Sequence, residues 1–173
     1  PADVSSHDGV FASHYDEARI TRTIDPDPVW ARLANRSIAR YAEITRESGV
    51  EFYHETGCLI VGPKRGGVDP YVGNVCGAAE ALGVPVEILS DTTLSERFGY
   101  FSFGAGCEGV YEAANAGYVN PRRLVEAQSK LARKAGAELI ADTAVTVREA
   151  DGGVVVTTAG GHEVRGERVL VAA

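Results

Sequence analysis

Residues 13–22 read SHYDEARITR, and the course of the chain after this stretch decides the fold. The chain turns extended over residues 20–24. It then meets Asp25-Pro26-Asp27-Pro28, a helix-start signal with Asp27 as N-cap and Pro28 at the first helical position. Val29, Leu33, Ile38, Tyr41 and Ile44 lay an apolar stripe along that helix, and Gly49 stops it. Arg19 and Arg22 therefore fall at a strand–turn junction. In an extended strand an offset of three sends side chains to opposite faces, so the two arginines share a face only if the backbone turns.

Around this stretch the composition is that of an ordinary globular protein. Of 173 residues, 45% are apolar and 24% charged, enough for one good core or for two lobes of a larger protein. A net charge of −7 argues against a nucleic-acid surface, which needs clustered cations. Arg32, Arg36 and Arg40 recur along one helix and read as a solvated face. No apolar run reaches the length of a membrane span, and no signal peptide is visible. Cys58, Cys76 and Cys107 have no metal-ligand spacing and cannot all pair, which favours a reducing cytoplasm. Each sits beside apolar neighbours and reads as a small buried side chain. The absence of any Met, including an initiator, suggests a trimmed segment.

Further along, residues 51–54 and 58–61 are strand-like runs around Gly57, and a second helix over roughly 68–82 closes at Gly83. Residues 86–89 form a strand, Asp91 caps a short helix through Phe98, and 107–111 is a strand ahead of a loop at 114–118. Asn120-Pro121 is a second N-cap and first-turn pair, opening a helix to Lys134 that ends at Gly136. Short strands come after it at 138–141, 144–149, 154–158, 163–165 and 168–172, with hairpin turns at Asp151-Gly152-Gly153 and Gly160-Gly161. The layout is mixed α/β. The last strand, 168–173, reads as a buried parallel strand, which needs neighbours on both edges. No partner is evident in the chain, so it is expected to be an incomplete piece.

Gly104-Ala105-Gly106-Cys107-Glu108-Gly109 spells GxGxxG. The context is wrong for a pyrophosphate turn: Val110-Tyr111-Glu112 beyond it is strand-like, and no ribose-binding acidic residue lies about twenty positions on. A glycine-rich turn or strand edge is the better account.

The motifs in their order resemble the D-amino-acid oxidase/sarcosine oxidase family of FAD-dependent oxidoreductases. Ser13-His14 with Arg19-Ile20-x-Arg22 is similar to that family's SH…RxxR segment beneath the flavin. Thr56-Gly57-Cys58-Leu59-Ile60-Val61-Gly62-Pro63 is similar to its TG-x-L-x-x-GP strand, and Ala116 to Pro121 to the loop leading into its returning helix. The resemblance covers residues 13–173. It implies an internal fragment, with the N-terminal glycine-loop strand upstream and more of the substrate pocket downstream. The fold it implies is a partial FAD-binding Rossmann-like domain with a β-meander, plus part of a β-sheet substrate domain. Residues 1–50 and 117–173 would belong to the FAD-binding domain and 51–116 to the substrate domain.

The resemblance also implies roles. Arg22 would take the substrate carboxylate and Arg19 would place charge beside the flavin, roles suited to a guanidinium, which stays charged and grips carboxylates with paired hydrogen bonds. Cofactor contacts would come from Ser13, His14 and Arg19, from the backbone of Val145 at the adenine, and from the small residues Ala172 and Ala173 where the chain closes over FAD. Asp16 and Glu17 balance the arginines. Ala18 stands where relatives often carry a hydroxyl, and Tyr15 where some have a second histidine, which leaves the substrate open.

The function implied is oxidation of the C–N bond of an amino acid or secondary amine by hydride transfer to flavin. No Ser/His/Asp, Cys/His or paired-carboxylate arrangement is visible, as expected where the cofactor does the bond-breaking. The isolated piece is expected to bind FAD weakly or not at all and to self-associate through exposed sheet edges. The alternatives are a self-contained α/β binding or interaction module without a redox cofactor, and a related flavin dehydrogenase acting on a hydroxyl.

Overall fold

A computed structural model describes residues 16–172, in which four helices alternate with nine strands. Strand β1 (Arg19–Thr21) leads into α1 (Pro28–Ser48). The Asp27 carboxylate accepts from Val29 N at 2.7 Å and Trp30 N at 3.2 Å, covering amides that no helical carbonyl can reach. Gly49 closes the helix in the left-handed region at φ 69°, its N–H donating to Thr45 O.

Strands β2 (Tyr53–Glu55) and β3 (Cys58–Pro63) precede α2 (Tyr71–Leu82). This helix starts three residues later than residue 68, because Asp69 precedes Pro70 and that position disfavours helical backbone. After β4 (Glu87–Ser90) comes α3 (Asp91–Arg97). Its cap is Ser90, whose hydroxyl accepts from Thr93 N at 3.1 Å; Asp91 occupies the first turn.

Strand β5 (Cys107–Glu112) is followed by β6 (Gly117–Val119), which begins inside the expected 114–118 loop. The difference is due to Gly117. A Cβ there would sit 2.0 Å from the His54 carbonyl oxygen, so only glycine lets this strand approach β2. Helix α4 (Pro121–Lys134) is capped by Asn120 Oδ1 on Arg123 N. The chain finishes in a meander of β7 (Ala144–Ala150), β8 (Gly153–Thr158) and β9 (Glu163–Gly166). Asp151 and Gly152 take positive φ in its first turn, as a two-residue hairpin demands.

Among the described residues the strands form three antiparallel sheets, ordered β1-β6-β2, β3-β5-β4 and β7-β8-β9. Two expected strands are absent. Residues 138–141 and 168–172 are irregular and exposed, with Leu170 at 89% exposure. Neither run finds a partner edge, and without one a strand's backbone groups are left to water.

One core joins Ile24 to Ile60, Val72, Val75, Ala79 and Val110, between α2 and the β3-β5-β4 sheet. A second joins Val50, Phe52, Val119 and Ala127 beneath α1 and α4. The segment after β1 enters the first core at Ile24 and is tied to α1 by Asn35.

Candidate functional site

Arg22 comes directly after β1, and the residues around it are held from three directions. Thr23 is buried and donates its N–H to the Glu112 carboxylate at 3.1 and 3.2 Å, and its hydroxyl to the same group. The Thr23 carbonyl accepts from Asn35 Nδ2 of α1 at 2.8 Å. Every polar group of Thr23 is therefore committed, and Ile24 beyond it is fully buried in the first core. On the other side, Thr21 pairs with Gly117 in the sheet. The backbone on both flanks of Arg22 is fixed.

The Arg22 side chain donates from Nη2 to Asp25 Oδ2 at 2.8 Å. Its Nε is buried and has no hydrogen-bond partner among the described residues, and the same holds for the Tyr53 hydroxyl. Such orphaned donors are costly, so each calls for an acceptor. Arg22 and Asp25 open onto a cavity of about 330 Å³ whose other walls include Ile20, Trp30 and Tyr41. A cationic donor beside apolar surface suits a small molecule carrying both an anionic and an apolar group.

Burial sets the electrostatics. The Glu112 carboxyl is pushed above its ordinary value by burial, against the pull of the Thr23 donors and the Arg22 charge. Tyr53 is pushed up to about 12, first by burial, then by the charges of Glu55 and Glu112 and by Tyr41. The Cys58 thiol is raised by burial, opposed by Arg22. The three cysteines are free thiols, half-buried rather than fully buried, and among the described residues no group of His, Cys, Asp and Glu could hold a metal.

The expected site residues are only partly brought together. Arg19 is exposed on β1, its Nε donating to Asp16 at 2.7 Å, and it is not a wall of the Arg22 cavity. Glu17 reaches away to Arg122 and to Asn120 Nδ2, at the start of α4. Val145 sits in β7 where the register slips between Ala144 and Thr146, and among the described residues β7 pairs with β8 alone. Ala172 is exposed and irregular. Ser13, His14 and Ala173 lie outside the described residues. The Gly104–Gly109 motif is a turn running into β5, with Gly109 packed under Leu94, and a strand rather than a helix follows the turn directly.

Sequence reasoning missed Thr23, Asp25, Tyr53 and Glu112. A signal for Glu112 was present: it is two positions beyond the apolar Val110, in phase with the buried face of β5.

The description of the family model that matches residues 5–173 is FAD dependent oxidoreductase. The chain belongs to this family. Among curated proteins the chain is similar to N-methyl-L-tryptophan oxidase of Yersinia pestis (strain Pestoides F). That protein is 26% identical over 151 residues, covering 86% of this chain and 40% of the relative. Among solved structures, an open form of NikD, an unusual amino acid oxidase essential for nikkomycin biosynthesis, superposes with TM-score 0.68 at 24% identity. The overlap covers 87% of this chain and 38% of NikD. Glycine oxidase from Geobacillus kaustophilus gives TM-score 0.65 at 19% identity, over 86% of this chain and 41% of that one. These structures share the fold. The chain spans about two-fifths of the length of the relatives it matches.

Family membership favours the flavoenzyme expectation over the self-contained module. No helix among the described residues is long and apolar enough to cross a membrane.

Proposed function

We propose that this chain forms part of an FAD-dependent enzyme that oxidises the C–N bond of an amino acid or secondary amine. The observation that carries the reading is Arg22: a rigidly mounted guanidinium with a buried, unpartnered Nε, at the wall of a part-apolar cavity. When bound, FAD supplies the acceptor for hydride from the carbon next to nitrogen, and the imine product hydrolyses. Arg22 binds and orients the substrate carboxylate, while Ile20 and Trp30 cover its apolar part. Arg19 adds positive charge on the cofactor side. Ser13 and His14 are assigned to cofactor contacts, as are Ala172 and Ala173. Val145, in the irregular stretch of β7, has backbone groups suited to a flat heterocyclic edge such as adenine.

The names of the relatives, N-methyl-L-tryptophan oxidase and glycine oxidase, support an amino-acid substrate class. Residues 1–50 and 117–173 are assigned to cofactor binding and 51–116 to substrate binding. The β3-β5-β4 sheet is built wholly from the latter segment and the meander wholly from the former. Strand β2 crosses that division by pairing with β6. The free thiols favour a reducing compartment, the cytoplasm. Exposed sheet edges favour self-association of the isolated chain.

The test is Arg22→Met in the complete, FAD-loaded protein. Loss of a charged hydrogen bond to carboxylate, about 1.5–3 kcal/mol, raises KM for sarcosine or N-methyl-L-tryptophan roughly ten- to a hundredfold. An unchanged KM rules Arg22 out as the carboxylate site.

A further inference from the structure

We propose that Glu112 is a positioning residue for substrate binding, acting through Thr23 to aim the Arg22 guanidinium into its cavity; this rests on the carboxylate role of Arg22 given above. Glu112 ends β5, a strand of the β3-β5-β4 sheet, whereas Arg22 comes after β1 in the β1-β6-β2 sheet. The Glu112 carboxylate spans 89 positions of sequence to take both the N–H and the hydroxyl of Thr23. It is 1% exposed, so in the intact fold the carboxylate is withdrawn from solvent and relies on these bonds to Thr23.

The geometry is that of a clamp on one residue, Thr23, gripped at the peptide units on both of its sides. With the Thr23 carbonyl held by Asn35, the residue next to Arg22 has no polar group free to turn. The Arg22 backbone therefore leaves the strand in one direction only. A bidentate carboxylate grip is sensitive to the aim of the fork, so loosening its mount weakens substrate binding more than it slows the bound complex. The neighbourhood supports this division of labour. Arg22 bonds Asp25 and not Glu112, so the buried carboxylate spends its hydrogen bonds on Thr23 and none of them on the guanidinium.

The experiment uses the complete, FAD-loaded enzyme and anaerobic flavin reduction by sarcosine and N-methyl-L-tryptophan. It compares Glu112→Ala, Glu112→Gln, Thr23→Val and Arg22→Met, each at measured flavin content. Glu112→Ala is expected to raise KM at least tenfold, with the limiting reduction rate within threefold of the parent. Glu112→Gln, which keeps an acceptor for Thr23, recovers most of that loss. Thr23→Val, which deletes one of the bonds to Glu112, raises KM about threefold; it decides the matter if Glu112→Ala loses its flavin. A parent-like KM in Glu112→Ala or, in its absence, in Thr23→Val overturns the clamp while a raised KM in Arg22→Met leaves the carboxylate reading standing. A parent-like KM in Arg22→Met overturns both.

Discussion

Arg22 Nη2 donates to Asp25 Oδ2 at 2.8 Å across one turn of chain, while Nε of the same guanidinium is buried without a partner. The pair is about a quarter exposed on each side. Asp25 thus holds part of the fork that a substrate carboxylate would use. The Asp25→Asn substitution removes the competing charge but keeps an acceptor for Asp27 N, which Asp25 also serves. A part-exposed ion pair is worth up to about 1 kcal/mol, so KM for a carboxylate substrate is expected to fall about two- to fivefold. Steady-state kinetics on the complete enzyme would show it.

Glu112 gives a pH prediction with a definite sign. Its folded pKa is raised above the ordinary 4.5 by burial. Above that value the unfolded chain releases its proton while the folded protein still holds it, so stability falls as pH rises toward the folded pKa. Glu112→Gln cannot lose a proton. The stability of the parent relative to this variant should therefore decline with rising pH above the ordinary carboxylate range, as read from urea midpoints across the series. A parent that gains on the variant as pH rises would mean that the Thr23 donors and Arg22 outweigh burial.

Gly117 is the tightest approach in the β1-β6-β2 sheet. Its substitution by Ala drives a Cβ into the His54 carbonyl, and backbone cannot move aside as a side-chain tip can. A loss of more than about 2 kcal/mol is expected, seen as a Tm several degrees lower. Because β6 holds both β1 and β2, the same substitution should also weaken substrate binding at Arg22.

Asp27→Ala leaves two first-turn amides of α1 without their acceptor, at a cost of about 1 kcal/mol. Helix α1 carries Asn35, whose side-chain amide holds the Thr23 carbonyl, yet the effect should register in stability and not in KM. Denaturant unfolding and kinetics on the same preparation separate the two.

Where local chemistry dictates structure, the chain is readable. Asp27-Pro28 and Asn120-Pro121 each cap a helix, and Gly49 and Gly83 end helices in the left-handed conformation. Long-range pairing is less readable. Residues 117–119 look like loop until β1 and β2 are laid on either side, and residues 168–172 look like strand although no edge is there to receive them. The arginines stood out by their spacing and by the resemblance of their segment. Glu112 and Asn35 did not, because what makes them notable is their hydrogen bonds to Thr23, and Tyr53 did not, because what marks it is a buried, unpartnered hydroxyl; both features arise only when the chain folds.

The most direct test of the central claim is a visible absorption spectrum of the complete protein, before and after anaerobic addition of sarcosine, N-methyl-L-tryptophan and common amino acids. A yellow flavin spectrum that bleaches on addition of an amine or amino acid is the predicted result. A colourless protein that cannot be reconstituted with FAD would contradict the account.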